Sequence, residues 1–425
     1  MKRISVVGFG KIGQAIVANM LKHDVQVNAV DINPALREIF ESKSYKSSEE
    51  GLEDILNSSF AKGQLTISSD FASVKDSAAV IVAIPLLVDK QKNVLDQPFL
   101  ECFKNIGAHL KNGTVLVIET SIPVGYGRNT VVPVIEQSGS KHGSDFFLVH
   151  SPERIKSGTM LQQLVVTPKV IGGVTREAAE RAAEIYRWFF DEKLIHVVDS
   201  IEAAEMIKLA GMAYRDVNIA LSNQLAVFAE KSGVPFSELI PLINTDGEAH
   251  LLSPGIGVGG HCTPVYPYFL IRNFAAQGLQ FDLASRARDI NDQMAAYAVA
   301  LAQQAGHGKK NLILGLGFRP NIKEDTFSTS YLLKDALDAA HLPYQLHDTE
   351  FNATEITQKG FTPCADLYET GCDTAYLVTM HKEYKSIDWV KMAAKGLKLL
   401  IDGRNAIEKS LVEKSGIRYI GIGKN

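Results

Sequence analysis

The sequence predicts an α/β protein in which two parallel-sheet domains flank a helical middle, with one long helix as the connection. Three observations predict it. Short apolar runs alternate with helix-length segments over the first part of the chain, an uninterrupted helical pattern follows, and a second alternation begins after about residue 306. At 425 residues the chain is long enough for two or three cores of ordinary size.

The first strand-like runs are residues 4–7, 25–30, 80–84, 115–119 and 146–149. Apolar runs separated by helix-length segments imply a parallel sheet covered on both faces. Residues 201–232, IEAAEMIKLAGMAYRDVNIALSNQLAVFAEKS, place apolar side chains at helical spacing, with Gly211 as the weak point of a long helix. A two-sided helix between domains suits a spacer and a dimer contact. Beyond it, NLILGLG reads as a strand into a glycine turn, STSYLLKDALDAA as a helix, PYQLHD and TAYLVT as strands, and KLLIDGRN as a strand into a turn. The expected domains are residues 1–198, 199–305 and 306–425.

Hydrophobic content of 46% and charged content of 22% are those of a soluble globular protein. A net charge of −4 argues against a coat for nucleic acid or an acidic membrane, while leaving room for a local basic pocket. No basic run with interleaved aromatics suggests nucleic-acid binding. Four cysteines, Cys102, Cys262, Cys364 and Cys372, lie scattered without a CxxC pair and read as reduced thiols. The chain runs at once into the strand of RISVVGFG, which predicts no signal peptide, and its longest apolar run, AAVIVAIPLLV, is too short to span a bilayer. A cytoplasmic protein is expected.

VVGFGKIGQAIVANML carries Gly8, Gly10 and Gly13 in GxGxxG spacing, after a strand and at the opening of a helix that Lys11 and Ile12 begin. Such glycines permit a tight turn and let backbone amides approach a pyrophosphate at the helix N-terminus, the mark of a Rossmann-like domain. Asp31 closes the second strand, 18 positions after Gly13, where a carboxylate can accept from a ribose 2′-hydroxyl and would repel a 2′-phosphate. The expected cofactor is NAD.

In GVGGHCTPVYPYFL, residues 257–270, Cys262 follows glycines at 257, 259 and 260. Glycines there, and at 255, are costly unless a ligand or another backbone comes near. A single cysteine is by itself most often a small buried hydrophobe, but this one sits in recognisable surroundings. The stretch resembles the cysteine motif of the UDP-glucose/GDP-mannose dehydrogenase family, GGHCxPxDPyfL, and is most similar to the branch acting on UDP-N-acetylhexosamines. ETSIPVG resembles that family's ESTxPxG and SPERIKSG its SPERxxxG. EMIKLAGMAYRDVNIALSNQLA resembles its lysine helix, GLGFRPNIKEDT the opening of its third domain, and DGRN its late arginine turn.

The resemblance spans nearly the whole chain. It implies two NAD-dependent oxidations of a sugar primary alcohol to a carboxylate, with Cys262 attacking the intermediate aldehyde to give a thiohemiacetal and then a thioester. An aldehyde cannot lose hydride until a nucleophile makes it tetrahedral. By the same resemblance Lys208 stabilises the oxyanion, Glu153 handles protons on the cofactor side, and Ser121 helps hold water. Pro85, Ser121 and Glu153 adjoin the cofactor, while Lys208, Gly259, Gly260, Arg319 and Arg404 face a nucleotide-sugar substrate. The domains become NAD-binding, helical central and nucleotide-binding, and the protein a homodimer. No metal is expected: His261 adjoins Cys262, but neighbouring side chains seldom converge on one ion.

Several positions depart from the family pattern. Tyr266 stands where an aspartate usually activates the hydrolytic water, and Met212 where an asparagine completes the oxyanion site. Glu248 falls near an arginine that reaches a substrate phosphate across the dimer, and Phe327 replaces the arginine of DTRxSP. Leu86 and Leu87 replace the Thr-Pro of VPTP beside the nicotinamide ribose. Arginine is the bidentate phosphate reader, so these exchanges weaken the case for an unmodified diphosphate site. They keep two alternatives open: a dehydrogenase of a different anionic primary alcohol, by either one hydride transfer or two, and a non-catalytic NAD-binding homologue. Retention of both Cys262 and Lys208 counts against the second.

Overall fold

The computed structural model describes residues 2–424. They form two compact units that divide between Ala210 and Gly211.

The first unit is built on eight strands: β1 Arg3–Val7, β2 Gln26–Val30, β3 Leu65–Ser68, β4 Ala79–Val82, β5 Thr114–Ile118, β6 Phe146–His150, β7 Lys169–Gly173 and β8 Ile195–Val198. Their order is β8-β7-β6-β5-β4-β1-β2-β3, parallel at every pairing except β6 with β7. Alternate side chains of a strand leave on opposite faces. In β5, Val115 and Val117 enter one core and Leu116 and Ile118 the other, and Ala79–Val82 divides the same way. Both faces are therefore dry, which is why these strands read as continuous apolar runs. The five strands expected from the sequence form within two residues of their expected bounds. Three others, β3, β7 and β8, go beyond that expectation.

The second unit contains a five-stranded, fully parallel sheet: β9 Asn311–Leu314, β10 Tyr344–His347, β11 Thr374–Leu377, β12 Leu399–Asp402 and β13 Arg418–Gly421, in the order β10-β9-β11-β12-β13. Here too the faces divide. Leu312, Leu314 and Leu400 enter one core, and Ile313, Leu399 and Ile401 the other, together with Met294 and Ala298 of the helix Asp282–Gln304. The α/β class with two Rossmann-like sheets and a helical middle is thus the observed one.

The expected long helix is a single element, Ile201–Lys231. The division between the units falls inside it, at Gly211, where an added Cβ would meet nothing within 4 Å. The three-domain division is a proposal, set by the family resemblance.

Candidate active site

The three glycines of the first loop do three different jobs. Gly8 adopts φ +93°, and a Cβ there would lie 2.7 Å from Ile84 Cγ2. A Cβ on Gly13 would lie 2.0 Å from the Gly8 carbonyl oxygen, so this glycine lets the helix Lys11–Leu21 press against the loop. Gly10 has an extended backbone that any residue adopts, yet a Cβ on it would meet nothing within 4 Å. Open space at Gly10, next to a helix start with no side-chain cap, is what an approaching pyrophosphate needs. Asp31 at the end of β2 braces the loop: Oδ2 accepts from Phe9 N at 2.7 Å and Oδ1 from Asn33 N at 3.0 Å. These residues fit NAD. Ile84, beside Pro85, accepts through its carbonyl from Thr120 Oγ1 at 2.5 Å, tying the segment after β4 to the segment carrying Ser121.

Ser121 is buried. The loop beyond it is held by Glu205 of the long helix, whose carboxylate accepts from Gly125 N at 2.5 Å and Gly127 N at 2.9 Å. One turn later on that helix, Lys208 donates to the carbonyl oxygen of Glu153. The Glu153 carboxylate is buried. Oε1 accepts from Arg154 N at 2.7 Å, and Oε2 pairs with Lys169 at 2.9 Å. Lys169 also pairs with Glu119 at 2.5 Å, and Tyr186 donates to Glu119.

Burial pushes the Glu119 carboxyl up to about 7 although Lys169 pulls it down. Burial also opposes ionisation of Glu153, but there the Lys169 ammonium wins and the group sits below its usual range. His150, buried beside them with Nε2 3.0 Å from the Thr120 carbonyl oxygen, is driven down to about 3 by desolvation and is a neutral imidazole. The chain's first unit therefore joins Glu153 to Lys208, with Glu119, Lys169 and Tyr186 behind them. The sequence reading missed those three. The available signal was an acid ending an apolar strand, TVLVIE, and a lysine opening another, KVIGG.

In the second unit, Cys262 is half-buried while Cys364 and Cys372 are buried, as is Cys102 in the first. Its loop is wedged against its own unit. A Cβ on Gly257 (φ +141°) would lie 2.8 Å from Thr329 Cγ2, one on Gly259 3.0 Å from the Phe327 carbonyl oxygen, and one on Gly260 (φ +107°) 3.0 Å from the Phe318 ring. Phe327 itself takes φ +46°, a left-handed conformation unusual for an aromatic residue. The Cys262 carbonyl accepts from Val265 N at 3.1 Å and Tyr266 N at 2.9 Å, the turn that opens the helix Tyr266–Ala276. Of the two open options for these glycines, close approach of another backbone is thus realised at Gly259.

A buried polar chain anchors the start of the loop. Gly255 N donates to Asn223 Oδ1 at 2.9 Å, Asn223 to Asn291 at 2.8 Å, and Asn291 to Asp216 at 2.8 Å, which also takes Arg288 at 2.7 Å. The departing residues have local contacts: Thr263 Oγ1 lies 3.9 Å from Met212 Sδ, and the Tyr266 and Phe269 rings are 5.6 Å apart. Glu248 is exposed on its turn.

Arg404 donates through Nε to the Val378 carbonyl at 2.5 Å, and desolvation pulls its guanidinium below the usual range. An added Cβ on Gly255 would lie 3.8 Å from Arg404 Nη1, so the arginine turn adjoins the root of the cysteine loop. Arg319 lies over the Phe318 ring at 5.4 Å. Among the described residues no group of three or more His, Cys, Asp or Glu could hold a metal, and no helix is long and apolar enough to cross a membrane.

The second sheet partly repeats the first loop. Gly315 has φ +97°, and Asp348 after β10 accepts through Oδ2 from Leu316 N at 2.5 Å and Gly317 N at 3.2 Å, as Asp31 does from Phe9. The likeness then ends. Asp348 is buried against His381 at 3.1 Å, and the next helix, Thr329–Ala339, starts well after the glycines. Neither a ribose acceptor nor a helix N-terminus is presented there in the dinucleotide manner.

Comparison with known proteins agrees with this geometry. Residues 2–190 match the NAD binding domain of the UDP-glucose/GDP-mannose dehydrogenase family, residues 202–293 its central domain and residues 312–409 its UDP binding domain. The chain is 30% identical to the UDP-N-acetyl-D-mannosamine dehydrogenase of Methanocaldococcus jannaschii over 100% of this chain and 97% of that one. With the enzyme of the same description from Pyrococcus horikoshii it shares 29% identity over 99% of both chains. A solved structure of UDP-D-ManNAc dehydrogenase from Pyrococcus horikoshii superposes with a TM-score of 0.88 at 28% identity, covering 99% of each chain.

Proposed function

The chain belongs to the UDP-glucose/GDP-mannose dehydrogenase family of NAD-dependent oxidoreductases, and from that premise we propose that it oxidises the primary alcohol of a UDP-N-acetylhexosamine to a carboxylate through a thioester on Cys262. The observation that carries this reading is the contrast among the cysteines. Cys262 alone of the four is not buried, and it stands on a loop locked by glycines and by the Asn223 chain. The names of the relatives support a UDP-N-acetylhexosamine as the substrate class.

NAD, when bound at the loop of residues 8–13, accepts a hydride at each of two oxidations, the first of which also releases the alcohol's hydroxyl proton to water. The residues supply the rest. The Cys262 thiolate adds to the aldehyde carbon, the carbonyl π pair moves to oxygen, and Lys208 compensates the alkoxide charge. Loss of hydride from this thiohemiacetal leaves the thioester. Water then adds, the C–S bond breaks, the acid departs and the thiolate is regenerated. Glu153, held ionised by Lys169, takes the proton of the attacking water, and Ser121 positions that water. Arg404 and Arg319 address the anionic nucleotide.

Assembly as a homodimer is part of the proposal. Tyr214, Leu221 and Phe228 stand 60%, 48% and 69% exposed at seven-residue intervals along the long helix. An apolar stripe of that spacing suits a second copy of the same helix.

The test is covalent trapping: denaturing the enzyme during turnover and weighing the Cys262 peptide should reveal an acyl adduct, absent in Cys262→Ser. A second reading, oxidation that stops at the aldehyde, is favoured by Tyr266 and Met212. In that case turnover proceeds in Cys262→Ser and the peptide carries no adduct.

A further inference from the structure

Behind Glu153 lies a cluster that no motif marks. The Lys169 side chain is 4% exposed, between Glu119 at 1% and Glu153 at 8%. The Tyr186 and Phe190 rings stand 5.5 and 5.8 Å from its ammonium. A charge this deep is tolerated only with close partners, and here one cation serves two carboxylates. Glu153 is the junction. One carboxylate oxygen is held by Lys169, the other by Arg154 N, and its carbonyl oxygen receives Lys208.

We propose that Lys169 is a positioning residue of this active site: bridging Glu119 and Glu153, it fixes the Glu153 carboxylate and, through the same residue's carbonyl, the Lys208 ammonium. The proposal rests on the reading that Glu153 and Lys208 serve the oxidation. The charged or titratable groups facing the bridge are Glu119 from the end of β5, His150 of β6, Glu153 and Arg154 after β6, Tyr186 from the helix Arg176–Tyr186 and Lys208 from the long helix. Glu119 is the member that exchanges a proton near neutrality, at about 7, while Glu153 stays ionised.

Each substitution has its own signature. Lys169→Met leaves two carboxylates without their cation, so one takes up a proton and Glu153 loses its hold. Lys169→Arg keeps the charge and offers a planar fork able to bridge both. Glu119→Gln fixes that member in its neutral form, so the proton exchange near pH 7 disappears while Lys169 still holds Glu153 ionised.

Two measurements on the full chain test this. Infrared difference titration needs no substrate. The wild type should show a buried carboxyl deprotonating near pH 7 that Glu119→Gln abolishes and Lys169→Met moves upward. A band unmoved by both substitutions overturns the bridge. Steady-state kinetics with NAD and UDP-N-acetylhexosamines form the second measurement. Lys169→Met should lower kcat roughly tenfold or more with little change in KM for NAD, Lys169→Arg should restore most of it, and Glu119→Gln should remove the inflection near pH 7 from the kcat profile. Wild-type kcat and an unmoved pH profile in Lys169→Met overturn the positioning role. If Lys169→Met does not fold, a wild-type inflection near pH 7 that persists in Glu119→Gln overturns it instead. A wild type inactive on every nucleotide sugar sinks the functional reading, and the infrared titration still decides the bridge.

Discussion

Alanine at Gly10 and alanine at Gly13 should fail in opposite ways. At Gly13 the new methyl would sit 2.0 Å from the Gly8 carbonyl oxygen, so helix and loop must separate by about 1 Å to restore even a tight contact. Gly8 has little room to retreat, because Ile84 packs against its Cα side. Overpacking of this kind costs roughly 1–3 kcal/mol, and a backbone obstacle puts it at the upper end. Alanine's better helix propensity returns about 1 kcal/mol. A net loss of about 2 kcal/mol lowers the melting temperature of a unit this size by roughly 4–8 °C. At Gly10 nothing is in the way, and the backbone angles suit any residue. Gly10→Ala should therefore melt within about 1 kcal/mol of wild type. Its methyl instead fills the space the pyrophosphate approaches, and NAD affinity should fall about tenfold or more, the equivalent of 1.4 kcal/mol. Thermal unfolding and calorimetric NAD titration on both variants read the two effects. Wild-type NAD affinity in Gly10→Ala, or wild-type stability in Gly13→Ala, would refute the division of labour among the glycines.

Other outcomes follow from the same structure. Brief alkylation of the native protein should label Cys262 ahead of the other cysteines, since burial pushes Cys102 to about 12 and Cys364 to about 11; peptide mapping that finds Cys102 labelled first contradicts this. His150 is depressed from an ordinary value of about 6.5 to about 3, so its stabilisation is complete above pH 6.5 and is lost as pH falls toward 3. His150→Asn, which keeps a donor for Thr120, should flatten the stability–pH slope in that window by up to one proton, about 1.4 kcal/mol per pH unit. An unchanged slope by denaturant titration assigns the acid sensitivity elsewhere. Leu221→Glu combined with Phe228→Glu should yield monomers in sedimentation equilibrium, and an undiminished mass removes that stripe from the dimer contact.

Much of this architecture was legible in the sequence because dry parallel strands advertise themselves. AVIV, and TVLVI after its first residue, carry an apolar residue for one face or the other at every step. KVIGG and IHVV do not: the first opens on a buried lysine and ends on two glycines, and the second lies at the sheet edge. Gly172 needs no side chain because Ser200 and Ala204 occupy that space, a reason visible only in three dimensions. The nucleotide loop and the cysteine loop could be read because each is continuous in the chain. The Glu119–Lys169–Glu153–Tyr186 cluster could not, since its members come from four separate segments with no fixed spacing. Asn223, Asn291 and Asp216 were hidden likewise, as ordinary polar residues in helical runs. The glycines before Cys262 stand out in the sequence, but their neighbours at Phe318 and Phe327 lie more than fifty residues away along the chain.

The four-electron claim is tested most directly by counting NADH released per mole of UDP-N-acetylhexosamine, at limiting sugar and excess NAD. Two are expected, with the sugar recovered as its carboxylate. One NADH with the aldehyde recovered, or none while NAD still binds, contradicts it.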